Sequence, residues 1–462
     1  MGEYKDDRLK DIVSTIQSEQ NEIIRADIES PLVVQGAAGS GKTTIALHRI
    51  AYLIYNYEKS FDPNSFMTIA PNRLFLKYIS EVLPELGVEQ VKQTTFVELT
   101  YDLLEVGYKL ADPDEKLVRF IKAEEEAEGR LQLLRKVSRL KGSLEFKDMI
   151  GRYTEHIKRT FMPEQDFCLE EHILFTAEEL RKMLLEDFSN YPLYARLPEL
   201  KKALSNKLKR DKVRIIRERK DFYDSEIGHL LDAFEPSEER RCKVIAMMEE
   251  RDKRVDSLKR AAKTAVAKYL EMFPRYDVID YYRELLTSSD NVRRLAEGLI
   301  DEETAGFMCS DTKTFLDQKA LEYEGLAPLL YLKLKLFGFS RKLGIRYIVI
   351  DEAQDFSLFQ LYALKRIFNT ELFTIVGDLA QGIHSHRGIG DWKAVVDKIF
   401  THRKCRYLTL EEDFTERELN LKLLYVAMTR ALHNLDIICT IGNMSLMDKT
   451  GRELFGGYGA CL

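Results

Sequence analysis

Residues 36–43 read Gly-Ala-Ala-Gly-Ser-Gly-Lys-Thr, a spacing of glycines, one lysine and one hydroxyl that suits a chain of phosphates. Gly36, Gly39 and Gly41 let the backbone curl tightly enough for its N–H groups to converge on phosphate oxygens. Lys42 is placed to set its ammonium against the β- and γ-phosphates, and Thr43 to put its hydroxyl on Mg2+. Ser40 and Thr44 complete the phosphate-binding set. The surroundings agree. Pro31 to Gln35 is a short apolar run suited to a buried strand, and Thr44 to Tyr57 carries apolar residues at helical spacing. Strand, glycine loop and helix together predict a nucleotide site rather than a chance glycine cluster.

A second group of residues supplies carboxylates. Ile345 and Tyr347 to Ile350 read as a buried strand that delivers Asp351 and Glu352 at its C-terminal end, where ligands sit in open parallel sheets. There Asp351 suits the metal, and Glu352 suits a general base that polarises the attacking water. A third element, Gly377-Asp378-Leu-Ala-Gln381, follows the apolar run LFTIV. Gln381 is a candidate sensor of the γ-phosphate, although in isolation the stretch is equally an ordinary strand-to-loop turn. Gln20 lies in a helix-like stretch, IVSTIQSEQNEII, before the first strand. An amide there can read both donor and acceptor on an adenine edge, while by itself it is a surface glutamine.

These groups need a scaffold of several elements, and 462 residues allow two to four domains. Residues 1–105 and 311–410 mix strand-like apolar runs with amphipathic helices. The stretch 106–310 is charge-rich, glycine-poor and helical in spacing, as at Leu180, Met183 and Leu184 and again at Ile245 and Met248. Thr176-Ala-Glu-Glu179 reads as a capping box that starts one of its helices. An α/β domain interrupted by a helical insertion with long paired helices is therefore expected. Charge within the insertion is uneven: Lys201 to Lys220 is strongly basic, and Phe161 to Leu180 is acidic without Lys or Arg. Such runs are either solvated helix faces or a docking surface for nucleic acid or an acidic partner.

Net charge is only −6, whereas a chain gripping duplex backbone throughout would more often be basic, which leaves room for a protein partner. Six cysteines lack metal-ligating or paired spacing, as expected of reduced thiols in a cytoplasmic protein. No long uncharged apolar run suggests a membrane span, and MGEYKDDRLKD lacks the apolar core of a secretory signal.

Taken together, SEQNEII, VVQGAAGSGKTTIALHRIAYL, IVIDEAQD, IVGDLAQGIHSHRG and LLYVAMTRAL resemble superfamily 1 helicases of the UvrD/Rep type. ALHRIAYLIY, APNRLFLKYISEVLPELG and LAPLLYLKLKLFG are more similar to the HelD-type motors associated with bacterial RNA polymerase. The resemblance implies a RecA-like P-loop domain with a parallel sheet, interrupted by a large all-helical insertion. It implies ATP and Mg2+ as cofactors, RNA polymerase as partner with single-stranded DNA as a further candidate, and no membrane. By the same resemblance Gln20 contacts adenine, Lys42 and Thr43 bind phosphates and metal, Asp351 coordinates Mg2+, Glu352 activates water and Gln381 senses the γ-phosphate. Arg430, in YVAMTRAL, resembles the arginine that completes the site from a second RecA-like domain and stabilises transition-state charge. Asn72, His384 and His386 are the implied nucleic-acid contacts.

Three departures from the family pattern shape the expectation. His384, Ser385 and His386 stand where repair helicases carry Tyr-Ser-Trp, on which a base stacks; histidine stacks less well. Thr44 replaces an arginine. The run from Arg406–Leu410 to YVAMTRAL is too short for a second RecA-like domain, so 411–462 reads as its remnant, and only MGEYKDDRLKD stands where HelD-type chains have a coiled-coil arm. Nucleotide binding should then survive better than turnover, with weak ATPase and no unwinding. The competing readings are a fragment of a UvrD-type DNA repair translocase and an ATP-gated protein-interaction module without turnover.

Overall fold

Six short apolar runs form one sheet. The computed structural model describes residues 18–37, 39–113, 115–121, 128–339, 343–382, 384 and 386–410. Its strands are β1 (Leu32–Gly36), β2 (Phe66–Ala70), β3 (Lys92–Thr95), β4 (Tyr347–Ile350), β5 (Phe373–Gly377) and β6 (Arg406–Leu410). They lie in the order β6-β1-β5-β4-β2-β3, every neighbouring pair parallel. All residues of β2, β4 and β5 are buried, which is why these strands read as unbroken apolar runs rather than alternating ones. At the edge, β6 exposes Tyr407 and Thr409 and buries Leu410.

Helices α1 (Ser18–Arg25), α2 (Lys42–Asn56) and α3 (Arg73–Glu85) accompany the first half of the sheet. Ile45, Ile50, Leu53 and Ile54 of α2 join Ile23 and Ile24 of α1, Phe66, Tyr347 and Val376 in one core. Burying each such aliphatic side chain contributes about 1.5–3 kcal/mol. Within this core sits a charge. Arg49 is fully buried, its Nη1 donating to the carbonyls of Ile23, Ile24 and Ala26 at 3.0, 3.1 and 2.6 Å. Its Nη2 reaches the Asp27 carbonyl (3.2 Å) and the Tyr347 hydroxyl (3.1 Å), and its Nε the Thr374 hydroxyl (2.9 Å). One guanidinium thus ties the C-terminal end of α1 to α2, β4 and β5, satisfying carbonyls a helix end leaves over.

The described residues divide into two units. The sheet belongs to one, drawn from residues 1–102, 114–144 and 343–462; the other comprises 103–113 and 145–342. The second unit is built on a helical hairpin, α4 (Leu197–Ala233) and α5 (Glu238–Leu270). Leu200, Leu204, Leu208 and Ile215 of α4 and Val255, Leu258 and Tyr269 of α5 are buried, and the Ser237 hydroxyl caps the start of α5. The expected capping box is present, with Glu179 N donating to Thr176 Oγ1 at 3.2 Å and Thr176 N to Glu179 Oε2 at 2.8 Å. The acidic stretch folds into an antiparallel pair, Phe167–Leu169 with His172–Phe175, set against the hairpin. There Glu171 pairs with Arg219, the Ser257 hydroxyl donates to Glu170 (2.7 Å), and the Lys207 ammonium lies 5.6 Å from the Phe175 ring centre. Part of the charge asymmetry is therefore matched within the unit. A short parallel pairing joins Lys109–Leu110 to Ala320–Leu321. Ile245 and Met248 are helical as their spacing predicts, yet 46% and 42% exposed.

Candidate nucleotide site

The loop from Gly36 to Thr43 depends on its glycines. A Cβ on Gly36 would lie 2.6 Å from Ser40 Oγ and 2.9 Å from Lys42 Cγ. Gly39 and Gly41 have φ of 83° and 77°, the left-handed region that side chains resist. Gly41 is the N-cap of α2, so the free N–H groups and the positive end of that helix face the loop. Ser40 is buried with its hydroxyl on the Ala37 carbonyl (2.9 Å), and the buried Lys42 donates to the same carbonyl (2.8 Å). The Gln20 amide donates to the Ser40 carbonyl at 3.4 Å, so α1 seats the candidate adenine reader against the loop. Thr44 is exposed on the first turn of α2.

Strands β1 and β4 end on the same edge, and this brings the two motifs together. Thr43 Oγ1 donates to Asp351 Oδ2 at 2.6 Å across 308 sequence positions. Burial, and then the adjacent Glu352 charge, push Asp351 well above the ordinary carboxylate value; the Thr43 bond and Lys42 act the other way. Glu352 is buried, with φ 51° and ψ 42°. A left-handed conformation in a residue bearing a side chain costs roughly 1–2 kcal/mol and is held only by its surroundings. Those surroundings are the bond from Glu352 N to Asp351 Oδ1 (2.9 Å) and from Gln354 Nε2 to Glu352 Oε2 (2.6 Å).

The Thr43 hydroxyl and the Asp351 carboxylate oxygen in contact, the latter on a group whose charge burial disfavours, are hard donors that fit Mg2+. Among the described residues no cluster of three or more His, Cys, Asp or Glu could hold a metal. When bound, Mg2+ would supply positive charge at the phosphates and relieve the Asp351–Glu352 repulsion.

The end of β5 forms a further part of the site through a chain of amides. Gln354 Oε1 accepts from Asp378 N (2.9 Å), so one side chain joins the Glu352 turn to the Asp378 loop. Asp378 in turn accepts from Gln35 Nε2 (2.7 Å) and Gln381 Nε2 (2.6 Å), and Gln35 Oε1 accepts from Trp392 Nε1 (2.6 Å). Gly377 is required by this closeness: a Cβ there would meet Gln354 Oε1 at 2.5 Å and the Trp392 ring at 3.0 Å. Gln381 is buried at the same edge as the phosphate loop.

Comparison with known proteins follows the same elements. The model of the UvrD/REP helicase N-terminal domain matches residues 16–393. The chain belongs to this family. Members of the UvrD/REP family are in general ATP-hydrolysing helicases that use ATP with Mg2+. Over 58 residues the chain is 43% identical to the ATP-dependent DNA helicase PcrA of two Staphylococcus epidermidis strains. That stretch is 13% of this chain and spans only 8% of the relative.

Other candidate residues of this UvrD/REP domain have visible local duties. Asn72 caps α3, its Oδ1 accepting from Leu74 N (3.0 Å) and Phe75 N (3.2 Å). His386 is buried, its ring centre 5.0 Å from that of Phe120 and 5.6 Å from that of His384. The half-buried His384 accepts at its carbonyl from Arg387 N and Gly388 N. Arg430 lies outside the described residues. Sequence reasoning missed Gln354, which bonds Glu352 and Asp378, Gln35, which bonds Asp378 and is held by Trp392, and Arg49, which ties the end of α1 to β4 and β5.

Proposed function

We propose that the chain is the ATP-binding and ATP-hydrolysing core of a superfamily 1 helicase-like motor, HelD-like in kind and acting on RNA polymerase. The observation that carries the ATPase part is the Thr43–Asp351 contact with Glu352 beside it. In this reading the loop N–H groups and Lys42 hold the phosphates, and Thr43 and Asp351 hold Mg2+. Gln354 aims Glu352 as the base for water, Gln20 reads adenine, and Gln381, held by Asp378, responds to the γ-phosphate. Arg430 would complete the charge stabilisation. A cytoplasmic setting belongs to the same proposal. Supporting it, Cys168, Cys242, Cys309 and Cys405 are free thiols, and no described helix is long and apolar enough to cross a membrane.

The alternative, a DNA helicase or repair translocase, draws on the PcrA likeness, whereas the buried His386 ring supports the HelD-like reading because it offers no open stacking platform. ATP turnover measured alone, with single-stranded DNA and with RNA polymerase decides between them. Stimulation by polymerase only is the expected result; stimulation by DNA only favours the translocase. Retained ATP binding without turnover would instead mark an ATP-gated interaction module.

A further inference from the structure

At the sheet edge opposite the phosphate loop lies a cavity of about 660 Å³. Residues entering the strands line its floor: Arg346 before β4, Leu372 before β5 and Arg403 before β6. The last turns of α6 (Leu358–Phe368) and α7 (Trp392–Lys398) bring Lys365, Arg366 and Lys398 to its wall. Five permanent cations thus share one concavity with a single carboxylate, Glu371.

Basic residues at helix C-termini ordinarily complement the helix dipole, which is the plain explanation to be met first. It does not absorb this much charge. Two helix ends are together worth about one negative charge, leaving roughly three positive charges once Glu371 is counted. Glu371 is itself committed to Lys365, whose Nζ also donates to the Ile399 carbonyl at 2.6 Å. Two of the remaining cations are already positioned. Arg346 Nη1 donates to the Ser60 carbonyl (2.8 Å) with its guanidinium 4.1 Å from the Phe61 ring centre, and Arg403 Nη1 donates to the Glu29 carbonyl (2.5 Å). Like charges gathered in a concave site focus the field on an incoming anion, and pre-set guanidinium forks match phosphate oxygens. The volume falls within the roughly 300–1,000 Å³ of small-ligand sites.

We propose that this cavity is a second anion site, selective for a di- or triphosphate group and separate from the phosphate loop. The group could arrive as free pyrophosphate or as part of a nucleotide, whose base would meet Tyr362 on the same wall. Calorimetric titration of the full chain carrying Lys42→Ala, which weakens the phosphate loop, with inorganic pyrophosphate and with ADP tests it. One site should remain, and adding Arg366→Gln with Lys398→Gln should weaken it at least tenfold without changing the circular dichroism of the fold. The same pair in the otherwise unaltered chain should leave ATP turnover unchanged, so this result is independent of whether the ATPase proposal holds. Equal affinity for the two titrants identifies the polyphosphate as sufficient. Tighter ADP binding, lost with Tyr362→Ala, identifies a nucleotide. Absence of binding in the Lys42→Ala chain, or binding indifferent to the two glutamines, overturns the proposal. So does a DNA oligonucleotide responding to those glutamines when pyrophosphate and ADP do not.

Discussion

In the sheet unit Arg49, Asp351, Glu352 and Asp378 are all buried and fixed by hydrogen bonds, whereas in the helical unit, the buried Asp211 with Lys207 apart, ion pairs along α4 and α5 such as the following stand in solvent. Arg214–Glu218, Lys243–Glu239 and Arg254–Glu250 are all four residues apart on one helix face. Such exposed pairs are screened by water, contribute little each and are individually replaceable. A buried charge is different, because removing its partner leaves a polar group that water cannot reach. One unit therefore concentrates its consequences in a few side chains, and the other spreads them over many.

The strongest way to break that comparison is at Glu352. Glu352→Gln should lower ATP turnover by about 10²–10⁴-fold, the usual worth of a positioned general base, while a fluorescent ATP analogue still binds. Turnover near that of the unaltered chain would remove Glu352 from the mechanism. Next comes Arg49→Ala, which takes the guanidinium away from the carbonyls of Ile24, Ala26 and Asp27, while the Ile23 carbonyl keeps Ala26 N and the Tyr347 and Thr374 hydroxyls keep each other. A loss of roughly 3–5 kcal/mol is expected in denaturant unfolding of the sheet unit. Arg49→Lys should recover little of it, since one ammonium cannot span contacts set by a planar fork.

Arg49 also marks the limit of what the chain reveals before folding. The phosphate loop was legible because strand, turn and helix are contiguous, so spacing alone sets the geometry of Gly36 to Thr43. Asp351 and Glu352 were legible because a buried parallel strand announces its own C-terminal end. Arg49 sits in ALHRIAYL as one more polar residue on a helix, and its partners at Tyr347 and Thr374 lie 298 and 325 positions away. Gln35, Gln354 and Trp392 are hidden for the same reason: their bonds join separate strand ends that only the sheet order brings together. In the hairpin the limit is of another kind. Periodicity identified Ile245 and Met248 as helical, but it does not say which helical face meets α4.

A smaller effect separates stability from function at Asp351. Its raised carboxyl value means that the fold disfavours the charged form, chiefly through burial and then through Glu352. The contribution of this group is therefore most favourable at low pH and is lost as pH rises through the raised value. Asp351→Asn should accordingly raise the melting temperature of the nucleotide-free chain at pH 8, by about 1–2 kcal/mol in stability, with the advantage fading toward pH 4. The same change should abolish Mg2+-dependent turnover. A variant destabilised at pH 8 would show that the Thr43 bond outweighs the burial of the charge.

The smallest effect is expected where the helical unit displays its apolar residues. Ile245→Ser with Met248→Ser removes two side chains that already stand 46% and 42% exposed, so little area returns to water. Thermal unfolding should shift by no more than about 0.5 kcal/mol for each, as at other open surface positions. Leu258→Ala, a few turns along the same helix but fully buried, belongs with the larger losses at about 2–5 kcal/mol. If the two serines instead cost as much as Leu258→Ala, these side chains must be covered in solution, and the contrast between a unit of buried charge and a unit of open surface would fail at its second half.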